Sequence, residues 1–323
     1  DIMTSPPPSF SLHDGCQLAL TPSLDSIIKA QFDQCRTAGI LRTDPLAPDV
    51  MRRKLCGKFG LVAKHEPSLF AKKRPATISE HVCMDEPFNV NKFHFNKVKD
   101  NEILATIVDG KDMFDAVDGI TSKVHPILVN ISPLMYGHGL LIPWPERCLS
   151  QQLTAEAISL AIRLLRKCTS CTFCIGFNSL GAFSSVNHLH MHILYPSELD
   201  HEARGEPLIN GRTSFPIAYA PIERCITASY RGFECQIDEL HWMVPCFAFT
   251  GAEDSDESLS KALSQFVQYL QKNRIPHNVL FVQDNGNIRS IIIPREHQDH
   301  FDKDRHGFNA ALGEISGMII ARS

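Results

Sequence analysis

The sequence predicts an α+β protein made of two tandem halves, each an antiparallel sheet with a helix packed on it. Three observations carry this. First, Ser185–Tyr195 alternates His188, His190 and His192 with Leu189, Met191 and Ile193, the period-2 pattern of a strand. Second, residues 151–168 set Leu153, Ala157, Ile158, Leu160, Ala161, Leu164 and Leu165 at helical spacing. Third, the same order of strand, helix, strand, loop and strand returns after residue 240.

Composition bounds the class. The chain has 323 residues, 43% hydrophobic and 21% charged, which describes an ordinary soluble protein of one large or two moderate domains. A net charge of -4 argues against a basic surface for nucleic acid. Eleven cysteines, an odd number, read as free thiols of a reducing compartment, so the cytoplasm is the expectation. No apolar run has the length of a membrane span, and the N-terminus does not read as a signal peptide.

Residues 1–20 are expected to form a Pro- and Ser-rich disordered tail. Residues 21–200 form the first half and 201–323 the second. A helix is predicted over 22–43, with Leu24, Ile27, Ile28, Ala30, Phe32 and Cys35 on one stripe. Residues 44–100 read as short strands and loops with two basic clusters, Met51–Gly60 and Lys72–Pro75. The alternation of Phe93 and Phe95 suggests a strand entry. From these segments Arg74, Lys97 and Lys58 are candidates to meet substrate phosphate.

Residues 102–108 and 125–131 are predicted strands, with Asp118-Gly119 a turn before the second. A Pro/Gly loop then separates Asn130 from a strand opening at His138 and closed by Pro143 and Pro145. Cys168, Cys171 and Cys174 have C-x-x-C-x-x-C spacing. A strand there turns Cys171 and Cys174 to opposite sides, so a metal centre is not expected. Asn178–Ser185 is a polar loop. Gly181 gives it backbone freedom, and its N–H groups with Ser184 and Ser185 suit an anion.

In the second half Trp242–Cys246 echoes Leu140–Trp144, a helix over 256–273 echoes 151–168, and Asn278–Val282 echoes the cysteine strand. Aligning Pro294 with Pro196 puts Gly286, Ile288 and Ser290 where the histidines stand, so this half keeps the architecture and loses the chemistry.

Three readings of the histidine row compete: incidental residues of a strand, a zinc site, and a nucleophilic imidazole with two helpers acting on a phosphate ester. The neighbouring motifs favour the third. His188-Leu-His190-Met-His192-Ile-Leu, its Ser185-Val186 lead-in, and Asn130-Ile131-Ser132-Pro133 followed by His138 resemble the histidine triad superfamily. Lys72-Lys73-Arg74-Pro75, Asn91–Val98 and Gly313–Gly317 narrow the resemblance to the GDP-hexose phosphorylases, two-half relatives of galactose-1-phosphate uridylyltransferase. It runs from about residue 35 to the end. The plant-type branch usually has glutamine where this chain has His192, so the animal-type branch, acting on GDP-D-glucose, is the nearer match.

The resemblance implies that His190 attacks the α-phosphorus of GDP-glucose, glucose 1-phosphate leaves, and inorganic phosphate converts a GMP–histidine intermediate to GDP. It assigns His188 and His192 as helpers. Asn130, His138, Asn178, Ser184 and Ser185 become nucleotide or phosphate contacts, and Arg74 and Lys97 substrate-phosphate contacts. No metal and no cofactor are implied, because the paired cysteines of zinc-bearing relatives are missing near Cys56 and Cys83. Family members often pair as homodimers. The alternatives are a GDP-L-galactose phosphorylase, a hydrolase of the histidine triad type, and a non-catalytic guanine-nucleotide- or metal-binding module.

Overall fold

A computed structural model describes residues 7–12, 22–72, 83–109, 124–196, 214–226 and 235–321. The strands of the first half are β1 (Ser9–Ser11), β2 (Met51–Lys54), β3 (Val62–His65), β4 (Ile103–Val108), β5 (Val124–Val129), β6 (Gly139–Leu141), β7 (Cys174–Asn178) and β8 (Met191–Leu194). Those of the second are β9 (Ile222–Ile226), β10 (Gln236–Leu240), β11 (Phe247–Gly251), β12 (His277–Asp284), β13 (Asn287–Pro294) and β14 (Met318–Ala321). The helices are α1 (Leu24–Thr37), α2 (Pro67–Lys72), α3 (Ala155–Lys167), α4 (Asp256–Lys272), α5 (Lys303–His306) and α6 (Leu312–Ile315).

Eleven strands form one sheet in the order β1-β4-β5-β6-β8-β7-β12-β13-β11-β10-β9. The order mirrors itself about β7 and β12. Each half contributes a five-stranded antiparallel run, β4-β5-β6-β8-β7 in one and β9-β10-β11-β13-β12 in the other. The halves join through antiparallel pairing of Asn178 with Asn278 and of Cys174 with Val282. A separate three-stranded sheet, β14-β3-β2, ties the last strand to the first half.

Helices α1, α3 and α4 cover one face. Thr154 caps α3 and Ser23 caps α1 by accepting backbone N–H bonds. Their apolar stripes and that of α4 bury Leu24, Ile28, Phe32, Leu160, Leu164, Leu263 and Val267 against Leu189, Met191, Ile193, Phe177 and Phe281. The alternate residues Cys174, Leu194, Leu280, Ile291 and Ile293 pack on the opposite face with Trp242, Leu312 and Met318. The strand period thus sends Leu189, Met191 and Ile193 into the larger core.

Several expectations are corrected. Ser9–Ser11 is not tail but an edge strand parallel to β4, because Phe10 and Leu12 alternate with serines and bury against the sheet. The first helix ends at Thr37, and Gly39 (φ 70°) turns the chain. The Asn91–Val98 segment is a loop with a 3₁₀ turn at Phe95–Lys97, not a strand. The strand answering β6 by topology is β11, which begins one residue after the predicted echo Trp242–Cys246. The Asp118-Gly119 turn lies outside the described residues. Gly286 sits in the β12–β13 turn (φ 83°), while Ile288 and Ser290 are fully buried on β13, so the second half carries no imidazole at these places.

Candidate active site

The regular strand begins only at Met191, so His188 and His190 stand on the extended lead-in rather than within β8. The reason is local: Leu189 N–H donates to the carbonyl of Leu149, and His190 N–H to Oε1 of Gln151, so side-chain and loop partners replace a ladder. Gln151 is buried and also donates from Nε2 to the carbonyls of His190 and Asn178. It cross-braces the two segments that carry the candidate residues. A lone glutamine ahead of a helix gave no sequence signal for this.

Nδ1 of His190 lies 2.7 Å from the carbonyl of His188. A carbonyl only accepts, so Nδ1 carries the proton and Nε2 keeps its lone pair. Burial pushes the His190 pKa down to about 4, against a weak opposing effect of that hydrogen bond. The ring is therefore neutral at pH 7, the form required of a nucleophile. His188 is also pushed down to about 4, mainly by burial and then by the neighbouring His190 and His94. Its Nδ1 accepts from Phe95 N–H at 3.1 Å. Phe95 packs against both rings, with centroids 5.8 Å from His188 and 4.8 Å from His190.

His192 stands with its ring 5.6 Å from that of His190. Its Nδ1 is 3.0 Å from Nε2 of His138, whose Nδ1 in turn accepts from Leu134 N–H at 2.9 Å. With Nδ1 accepting, His138 carries a proton on Nε2 and donates it to His192, which places the His192 proton on Nε2. That N–H faces the Asn178 amide at 3.2 Å. Asn130 accepts Ser132 N–H through Oδ1 and turns Nδ2 toward His138 Nε2, also at 3.2 Å. The row Asn130, His138, His192 and Asn178 is rich in N–H donors, which suits a ligand of phosphate and hydroxyl oxygens.

The remaining candidates divide. Ser184 is buried and its Oγ donates to the Val186 carbonyl, while Ser185 is exposed. Lys97 donates to the carbonyls of Val90 and Lys92, fastening its own loop. The ammonium of Lys58 lies 3.1 Å from His241 Nε2 in the second half. Arg74 lies outside the described residues. Sequence reasoning missed His94, a buried imidazole whose ring is 6.0 Å from that of His188 and whose nitrogens have no hydrogen-bond partner among the described residues. Cys168 and Cys174 are buried and Cys171 exposed. Among the described residues no group of three or more His, Cys, Asp or Glu is arranged to hold a metal ion. No helix among them is long and apolar enough to cross a membrane.

Acid should destabilise the fold through these rings. His125, His188, His190 and His277 are all held near 4 by burial, below the ordinary 6.5 they regain on unfolding. Their contribution is complete above pH 6.5 and is lost as pH falls through about 4. For the buried His190 and His277 the loss is about 2 kcal/mol each by pH 5. The unfolding midpoint should fall clearly between pH 7 and pH 5. A midpoint that stays level over that range would show that these rings are not buried in the neutral form.

Comparison with known proteins agrees with this architecture. The chain is 29% identical over 92% of its length to GDP-L-galactose phosphorylase 1 of Arabidopsis thaliana, covering 61% of that protein. It is 27% identical over 93% of its length to GDP-D-glucose phosphorylase 1 of Xenopus laevis, covering 78% of that protein. To the Homo sapiens GDP-D-glucose phosphorylase 1 it is 29% identical over 83% of its length, covering 66% of that protein. The chain thus spans about three fifths of its plant relatives, 61% and 63%. In fold it is similar to yeast Ap4A phosphorylase Apa2, with TM-score 0.55 and 16% identity over 94% of this chain and 88% of that one. The GDPGP1-like N-terminal domain matches residues 23–194 and the GDPGP1-like C-terminal domain residues 216–323, so the two halves joined at the β7–β12 seam make this chain a member of the GDPGP1-like family.

Proposed function

We propose that the protein is a GDP-D-glucose phosphorylase, a nucleotidyltransferase that moves GMP from GDP-D-glucose to inorganic phosphate. The observation that carries this is the His190 ring: neutral, with Nδ1 fixed on a carbonyl and Nε2 left as a lone pair beside a row of donors. Nε2 attacks the α-phosphorus, and the bond from that phosphorus to the oxygen bridging to the β-phosphate breaks. Glucose 1-phosphate departs with the electron pair. An oxygen of inorganic phosphate then attacks the same phosphorus and the P–N bond breaks, giving GDP and restoring His190. The departing glucose 1-phosphate needs no strong acid, since phosphomonoesters have a second pKa near 6. The work left to the protein is positioning and stabilising charge on the phosphoryl oxygens, tasks suited to His192 and Asn178.

The GDP-hexose phosphorylase relatives support the reaction class, and His192 supports the animal-type branch over the plant type. Incubation with GDP-glucose should release glucose 1-phosphate over many turnovers only when phosphate is present, and no more than one equivalent per enzyme without it. GDP-L-galactose, GDP-mannose and UDP-glucose in the same assay, with and without phosphate, rank the sugar and the base. GMP released without phosphate would overturn the phosphorylase and make the protein a nucleotide hydrolase. Binding of GDP with no turnover of any nucleotide sugar would make it a binding module.

A further inference from the structure

Asn278 lies on β12, in the half that lacks the histidine row, and is fully buried. It pairs across the seam with Asn178. Its amide has a determined orientation. Nδ2 donates to the carbonyl of Ala182 at 3.0 Å, and a carbonyl only accepts. Oδ1 accepts from Nη1 of Arg295 at 3.4 Å. The second N–H of Nδ2 donates to Oδ1 of Asn178 at 2.5 Å. Asn178 must then turn its own Nδ2 away from the seam, toward Nε2 of His192.

Nε2 of His192 carries a proton, because Nδ1 takes that of His138. Nδ2 of Asn178 and Nε2 of His192 therefore stand side by side, 3.2 Å apart, as neighbouring donors. An anionic oxygen set beside the pair meets the amide of Asn178 as a donor. The surrounding loop is held from the same half: Gln298 N–H donates to the Gly181 carbonyl at 2.7 Å, and Gln298 Oε1 accepts Phe183 N–H at 2.6 Å. Gly181 has φ 75°, and a Cβ there would meet the His297 ring at 2.6 Å.

We propose that Asn278 is a positioning residue: by fixing the Asn178 amide nitrogen-outward, it makes Asn178 a donor to the phosphoryl group held beside His192. The half without the histidine row thereby sets the hydrogen-bonding polarity of the half that has it. The inference rests on the phosphoryl-transfer reading of the site.

The test compares Asn278→Asp, Asn278→Ala and Asn278→Leu. Aspartate keeps the shape and only accepts, so it draws Nδ2 of Asn178 to itself and turns Oδ1 outward, an acceptor facing phosphate. Arg295 stands at hand to balance its charge. Alanine and leucine leave Asn178 free to choose. Donor reversal should lower kcat/KM for GDP-glucose by about 100-fold in Asn278→Asp, and the two apolar variants should lose about tenfold or less, mainly through KM. Aspartate also gives up the bond to the Ala182 carbonyl, so a merely structural role lowers the unfolding midpoint and kcat/KM together, whereas donor reversal lowers GDP affinity and kcat/KM in protein that keeps its midpoint. GDP affinity by calorimetry should follow the same order as kcat/KM, with unfolding midpoints recorded for each variant.

Wild-type activity and GDP affinity in Asn278→Asp, or a worse loss in Asn278→Ala, would overturn the inference. Should Asn278→Asp not fold, wild-type KM in a folded Asn278→Leu overturns it equally. If the unaltered protein binds GDP but turns over no GDP-hexose, the phosphorylase reading falls, while the GDP affinities still decide the role of Asn278. Turnover with no ranking among the variants leaves the reaction standing and removes Asn278 from it.

Discussion

His190→Ala should abolish the covalent nucleotidyl adduct and lower turnover by about 10⁴-fold or more. The expected size follows from the geometry. Of the three histidines of the row, His190 alone combines a proton fixed on the distant nitrogen, a free Nε2 and a neutral ring. His192 has both nitrogens engaged, one on His138 and one facing Asn178, and His188 gives Nδ1 to Phe95 N–H. Neither replaces the missing lone pair at the same point in space. Incubating the variant with GDP-glucose in the absence of phosphate, followed by intact-protein mass spectrometry, should show no added mass, whereas the unaltered protein should gain a GMP unit. An adduct of undiminished yield in His190→Ala would move the nucleophile to another residue. The acid limb of turnover should also fall near pH 4 rather than near 6.5, since burial lowers the pKa of the ring that must stay neutral.

The second large effect lies away from the histidines. Lys64→Met should destabilise the protein by about 3–5 kcal/mol. Lys64 and Glu66 are both fully buried, and Nζ binds Glu66 Oε2 at 2.6 Å. Removing the cation leaves a carboxylate in a low-dielectric surround without the Lys64 charge that offsets it. The double variant Lys64→Met with Glu66→Leu should recover most of the loss, because it removes both desolvated charges together. Denaturant melts of the three proteins decide the matter. A single variant as stable as wild type would show that the pair is hydrated and not buried. Nζ of Lys64 also binds the carbonyl of Leu134, whose N–H caps His138. The single variant should therefore lose activity even where it stays folded.

Much of this was legible in the sequence, for physical reasons that differ by element. The strands around 103–108 and 124–129 and the helices 155–167 and 256–272 follow from apolar periodicity, which burial enforces. The repeat was legible because each half needs the same sheet and helix to bury its stripe. The edge strand at Ser9–Ser11 was hidden by flanking prolines, and only pairing with β4 reveals it. The lead-in carrying His188 and His190 reads as strand because its alternation is complete, yet its backbone bonds go to Leu149 and Gln151. Gln151, Phe95 and Asn278 escaped notice because each acts through a contact 39, 93 and 100 residues away. Local spacing carries no trace of such contacts. Lys97 shows the converse: a cation in a promising segment whose donors are used within its own loop.

Every residue of β7 is buried, as are the first six of β12, and they lie back to back at the midline. Parting the halves would bare two long greasy rims, each with a row of unmet amides and carbonyls ready to template another chain. Neither portion is therefore expected to survive as a free-standing fragment. Expressed apart, they should precipitate or find one another again, and the chemistry should reappear only on reunion.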